Sequence, residues 1–203
     1  MRANLILTIG LALVAAAPAA APAQQYTMAG GAASGRITIS GGSTLRSWSC
    51  DVTQFEAAVR STYGADSALP SGRENASFTI PVRGIDCRNG TMNGHLREAL
   101  EGERHPNIRF ELTRYTLVTG NTLRAQGNLT IAGQTTAIEV DATYEPGDGT
   151  LHVVGRKPLR MTELGVEPPS LMFGTLKVHD AITIAFDLVI QQSAVTLAAA
   201  TLR

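Results

Sequence analysis

Strict alternation of apolar and polar residues constrains this chain more than any other feature, because side chains that repeat with period two share one face of a β-strand. Over residues 77–85, Phe78, Ile80 and Val82 share one face while Thr79, Pro81 and Arg83 share the other. Over 107–113, Ile108, Phe110 and Leu112 alternate with Arg109, Glu111 and Thr113. The pattern returns over 122–131 (Leu123, Ala125, Leu129, Ile131), 136–144 (Ile138, Val140, Ala142) and 181–190 (Ile182, Ile184, Phe186, Leu188, Ile190). Gly120-Asn121, Ala132-Gly133-Gln134 and the run Pro146-Gly147-Asp148-Gly149 punctuate these segments with turn chemistry, which predicts hairpins and an antiparallel sheet. With further strand candidates at 36–39, 45–55 and 150–161, the total is about eight. A sheet of that size with one apolar face must bury it, and closing into a barrel does so while removing exposed edges.

One segment breaks the alternation. Residues 91–101 predict a short helix, with Thr91 or Asn93 as its cap, Leu96 and Leu100 on one face, and Gly102 at its stop. A helix between two barrel strands belongs near one mouth. The stretch 164–172, with Pro168-Pro169, predicts a long irregular loop and a second lid candidate. Residues 24–35 read as a flexible lead-in, 36–190 as the barrel domain, and 191–203 as a tail of small apolar residues.

The same alternation would suit a barrel in a membrane, with its apolar face toward lipid. Aromatic residues make up only 5% of the chain, too few for two interfacial girdles, and the polar faces carry Glu111, Arg124, Glu139 and Asp141. The apolar face is therefore expected to point inward, with no stable membrane insertion.

Residues 1–23 have the layout of an export signal: Arg2, an apolar run over 5–17, then Ala21-Pro22-Ala23, with cleavage expected before Gln24. The run is too short for a membrane anchor. A periplasmic or secreted location follows. Basic and acidic residues balance at 17 each, so the chain has no electrostatic footprint for nucleic acid. Cys50 and Cys87 are the two cysteines. An even count in an exported chain favours a disulfide, worth about 3–4 kcal/mol for a loop of roughly 36 residues; two separate buried thiols are the alternative.

Catalytic chemistry finds no footing in the sequence. The four histidines (His95, His105, His152 and His179) lack the short spacing of a metal pair, and no nucleophile elbow, phosphate loop or zinc-protease motif is present. No catalytic residue, no metal and no enzyme activity are expected. His95 and Arg97, together on the expected helix, could meet an anionic head group; a solvated helix face is the plainer reading, as it is for Arg83, Arg88 and Arg104.

Several segments together resemble the YceI-like family. They are Asn93-Gly94-His95-Leu96-Arg97, His105-Pro106-Asn107-Ile108-Arg109-Phe110, the hairpin Gly127-Asn128-Leu129-Thr130-Ile131-Ala132-Gly133-Gln134-Thr135, Met161-Thr162-Glu163-Leu164-Gly165, and the run from Leu176-Lys177-Val178 to Leu188. Leu164 stands where the family tends to have an aromatic, and the cysteine pair and the two prolines mark a divergent branch. The resemblance implies an all-β, lipocalin-like antiparallel barrel whose apolar lumen holds a long isoprenoid or fatty chain, with no cofactor beyond that lipid. The lumen candidates are Phe78, Ile80, Val82, Ile108, Phe110, Leu112, Leu129, Ile131, Ile138, Val140, Leu159, Met161, Ile182, Ile184 and Phe186. An eight-stranded barrel is just wide enough either to be filled by its own side chains or to hold one small ligand. The alternative is thus a periplasmic stress-response or interaction module with a filled core. A hydrolase or isomerase would need a polar cluster converging in the lumen, which the alternation does not supply.

Overall fold

The computed structural model describes residues 23–28, 34–62, 75–147, 150–171 and 175–194. The expected signal segment lies outside these residues but for Ala23, as does the stretch 195–203 of the expected tail. The described elements are β1 (Ala23–Met28), β2 (Gly35–Ser43), β3 (Ser47–Val52), β4 (Glu56–Thr62), β5 (Asn75–Pro81), β6 (Ile85–Asp86), α1 (Gly90–Ala99), β7 (Asn107–Leu117), β8 (Thr122–Ile131), β9 (Gln134–Gly147), β10 (Thr150–Arg160), β11 (Ser170–Leu171) and β12 (Leu176–Ala194). Single 3-10 turns occupy Val82–Gly84 and Thr162–Leu164.

The alternation becomes a curled antiparallel sheet. Pairing runs β1–β4–β5–β7–β8–β9–β10–β12 and returns from β12 to β1, which closes the ring. The remaining strands continue this wall, except β11, which pairs with the start of β12 off that path. The long β12 holds β2 along 178–188 and β1 along 191–194, so β1 and β2 follow one another on the same edge. Likewise β3 pairs with β2 and β6, just as β4 pairs with β1 and β5. The wall has eight positions, three of them broken into two segments.

Those breaks account for the corrections to the sequence reading. The lead-in over 24–35 contains β1 and the first residue of β2, and the expected tail contributes the end of β12. The run 77–85 does not stay a strand: after Pro81, which lacks an N–H for further pairing, the chain takes the 3-10 turn Val82–Gly84 before resuming as β6. The candidate strand at 45–55 ends at Val52, and β4 follows it. The helix starts one residue earlier than expected, and its cap is neither Thr91 nor Asn93. Asn89 Oδ1 accepts from the Met92 N–H at 2.9 Å. The helix stop is displaced as well. Glu101 takes the left-handed conformation (φ 49°), and the bonds Glu101 N–H to Glu98 O and Gly102 N–H to Arg97 O complete a Schellman ending.

The apolar faces turn inward. On the outer face of β8 and β9, Arg124 makes a two-pronged bond to Asp141 (2.7 and 3.1 Å), and Gln126 donates to Glu139 (2.8 Å). An outer-membrane barrel has the reverse arrangement. Two kinds of interior result. Cys50, Val52, Phe55, Val82, Ile85 and Cys87 form a fully buried pack where β3 meets β6. Elsewhere many inward side chains, among them Ile182, Ile184, Phe186 and Ile138, are only half-buried although they point away from the outer surface.

Candidate functional site

That partial burial has its cause in a cavity of about 740 Å³ running along the barrel. Its wall is overwhelmingly apolar. All the lumen candidates line it except Val82, which sits in the 3-10 turn against Gly102. The alternation located these residues because the wall strands keep one phase. The bulge in β7 between Leu112 and Arg114 is the exception. It inserts one residue, so beyond it Tyr115 rather than Arg114 faces in, opposite Ala125. Tyr115 is a lining residue that unbroken alternation would not find.

Glycines widen the lumen. Gly127 and Gly155 lie under the rings of Phe110 and Phe186, where a Cβ would collide with each ring. The aromatic rings lie along the wall over these bare backbones instead of filling the centre. Trp48 does the same over Gly41 and donates its Nε1–H to the Gly42 carbonyl at 3.0 Å.

The two ends of the barrel differ. The ends of β2, β8 and β10 and the starts of β3, β7, β9 and β12 lie together, with α1, the loop 44–46 and the segment 161–169 over them. At this end the lining includes Ser43, Arg46, Asn89, Thr91 and His95 alongside Met92, Leu96, Leu164 and Val166. Lys157, three residues before the end of β10, also lines the cavity. Toward the opposite end the lining is Leu123, Ala125, Ala142, Leu151, Val153, Leu188 and Ile190, with Tyr115 the polar member. The two head-group candidates separate. His95 lines the cavity, whereas Arg97 lies on the other side of α1, in a separate groove with Arg83, Glu98 and Arg104. Helix periodicity explains the split, since positions two apart on a helix do not share a face. Arg46 takes the place that the sequence reading gave to Arg97, and a loop position carries no periodic signal to reveal it.

Two carboxylates brace this end. Asn93 donates to Asp86 at 2.9 Å while accepting from the Cys87 N–H at 2.8 Å, and the Arg88 N–H also reaches Asp86. The Asn93 bond, then the Arg88 N–H, hold the Asp86 carboxyl below its usual range. The Cys50–Cys87 disulfide forms beside them and ties β3 to the chain entering α1. Across the mouth, Asp180 accepts from the Thr162 N–H and hydroxyl, each at 2.9 Å, and the Thr162 N–H first of all keeps its carboxyl low. This fixes the 3-10 turn that carries Leu164. The turn matters because the wall splits there: β9 and β10 pair only over 142–147 and 150–155, and beyond that point β9 follows β8 while β10 follows β12. Leu164, 1% exposed, fills the split from inside, and Thr136 reaches the Glu163 carbonyl across it at 3.3 Å. Asp141, on the outer rim of the seam, has its carboxyl lowered chiefly by the hydrogen bond from Arg124, with a smaller pull from Lys157.

Among the described residues no three His, Cys, Asp or Glu side chains gather to hold a metal ion, and no helix is long and apolar enough to cross a membrane.

Solved structures share this fold at low sequence identity. BcnA of Burkholderia cenocepacia is 20% identical, with a TM-score of 0.66 over 76% of this chain and 95% of that one. A polyisoprenoid binding domain from Saccharophagus degradans, implicated in plant cell wall breakdown, is 10% identical, with a TM-score of 0.63 over 83% and 98%. The YceI protein of Campylobacter jejuni is 15% identical, with a TM-score of 0.58 over 71% and 84%. No curated protein matches the chain in sequence. The model of the YceI-like domain, however, matches residues 25–190, from within β1 to near the end of β12, and the chain belongs to the YceI-like family.

Proposed function

We propose that this protein is an exported carrier or store for a lipid, and that its cavity holds one long apolar chain, isoprenoid or fatty. The carrying observation is the hollow, apolar lumen of about 740 Å³. That volume lies within the roughly 300–1,000 Å³ range of ligand pockets. A chain burying about ten methylenes would gain roughly 8 kcal/mol from leaving water, comparable to the cost of association, without directed polar contacts. Half-burial of inward-facing Ile184 and Phe186 weighs against the filled-core module, in which such residues would be packed on all sides. The Saccharophagus relative's description as a polyisoprenoid binding domain agrees with this reading. Export to the periplasm or beyond rests on the signal layout of residues 1–23 and on the paired cysteines.

Native mass spectrometry of the protein from its own host, followed by organic extraction, tests the proposal. A discrete adduct of lipid mass supports it. An apo mass, with no uptake of added isoprenoid quinone or fatty acid, would leave the interaction module as the better account. The same spectrum reports an N-terminus at Gln24 if the signal is removed, and two fewer hydrogens for the disulfide.

A further inference from the structure

The charges that line the cavity all have one sign. Arg46 and Lys157 are the full charges in the lining and His95 is its remaining titratable nitrogen base, while no Asp or Glu lines it. All three belong to the half of the barrel under α1, and the other half is apolar but for the Tyr115 phenol. Among the described residues, neither Arg46 nor Lys157 has an acidic partner within 4.0 Å, unlike Arg88, Arg104, Arg109, Arg124 and Arg160; Asp141, which feels Lys157 from farther off, lies on the outer face bonded to Arg124. The acid nearest His95 is Glu98, 3.8 Å from Nδ1 and lying off the cavity. A lipid with no polar head would gain nothing from these cations, and a neutral hydroxyl or carbonyl gains less than an anion does. An anion beside this apolar wall gains charge-assisted hydrogen bonds.

Resting on the carrier reading, we propose that the ligand is an anionic amphiphile. Its carboxylate or phosphate head lies at the α1 end, met by Arg46, His95 and Lys157, and its tail runs toward the β7–β8 and β9–β10 turns. Orientation follows from the asymmetry of the wall: reversing the molecule would set the anion among Leu123, Leu151 and Ile190, where the lining offers no cationic donor. Arg46 suits a head-group role further because its loop is exposed, so the head can keep part of its hydration.

The test uses matched probes on purified, delipidated protein, followed by the fluorescence of Trp48, the single tryptophan and a residue of the wall. The probes are palmitic acid against 1-hexadecanol, and farnesyl phosphate against farnesol. The expected result is tighter binding of at least one anion than of its alcohol by about tenfold or more, the worth of one charge-assisted hydrogen bond. The pair showing the preference tells a carboxylate ligand from a phosphate one. Arg46→Glu, on the exposed loop, should abolish or invert the preference, read as the ratio of the acid's affinity to the alcohol's. Lys157→Met should reduce it at nearly constant volume. Equal affinity for acid and alcohol in both pairs, or a preference untouched by Arg46→Glu, would overturn the head-group assignment and leave the carrier reading standing. Failure of all four probes to bind would remove the carrier reading and this inference with it.

Discussion

Ala132 and Gly133 form the two-residue turn between β8 and β9, and both have positive φ, 46° and 76°. That is the turn whose twist matches flanking strands, and Asn-Gly suits it best. Alanine pays for the left-handed conformation with Cβ strain. Ala132→Asn should therefore stabilise the fold by about 0.5–1 kcal/mol, read as a higher midpoint in urea with an unchanged slope. Gly155 makes the opposite case, because its lack of a side chain is used. The Phe186 ring lies where a Cβ would stand, so Gly155→Ala forces the ring off the wall and into the lumen. The expected cost is about 1–3 kcal/mol of overpacking, together with weaker binding of long chains. Adding Phe186→Leu should restore both. A double-mutant cycle with no coupling would mean that the ring does not owe its place to the glycine.

Among the elements, α1 depends on groups outside itself. None of its residues is fully buried, and its entry is held by the Asn89 cap, by Asn93 on Asp86 and Cys87, and by the Cys50–Cys87 disulfide. Replacing both cysteines with serine should cost about 2–5 kcal/mol and, in hydrogen exchange, release the amides of α1 before those of β8 and β9. Equal loss of protection across the molecule would show that the disulfide acts on the barrel as a whole. The 3-10 turn at the seam has an electrostatic anchor. Because Asp180 has its folded pKa below the ordinary 3.8, its contribution is fully present above that value and is lost as pH falls through the lower folded one. Asp180→Asn should therefore melt earlier than the parent near neutral pH, with the two melting curves converging in acid below pH 3.8. A difference independent of pH would assign the effect to shape instead of charge. These elements also show where the sequence was readable. The period-two segments from Asn107 to Ile190 predicted most of the wall and most of the cavity lining, since burial on one side of a strand leaves a direct imprint. What escaped was set by contacts that leave no periodic imprint: β1, recruited by β4 and β12; the phase change at Thr113; the Asn89 cap, two positions ahead of the first candidate considered; and Arg46, which meets the cavity through a loop.

At the scale of the whole molecule, a hollow barrel carries an energetic asymmetry. Wall side chains such as Ile184 and Phe186 have packing partners on the wall side and open space on the other, so they forgo the dispersion contacts that a close-packed core would give them. Occupying the lumen supplies those contacts, and a ligand that binds only the folded state shifts unfolding by mass action. At a hundredfold excess over its Kd the gain is about 2.7 kcal/mol, which for a domain of this size raises Tm by roughly 5–10 °C. Protein stripped of lipid should therefore melt lower than protein as isolated, and adding back the extracted lipid should restore the difference in proportion to the logarithm of its concentration. Binding should carry the negative heat-capacity change that marks burial of apolar surface. If stripped and native protein melt together and the extract has no effect, the lumen is empty in the working state and the fold is stable without an occupant. The solid pack around Cys50, Val52, Phe55, Val82 and Ile85 would then carry the stability alone, and the function would have to be sought on the outer surface.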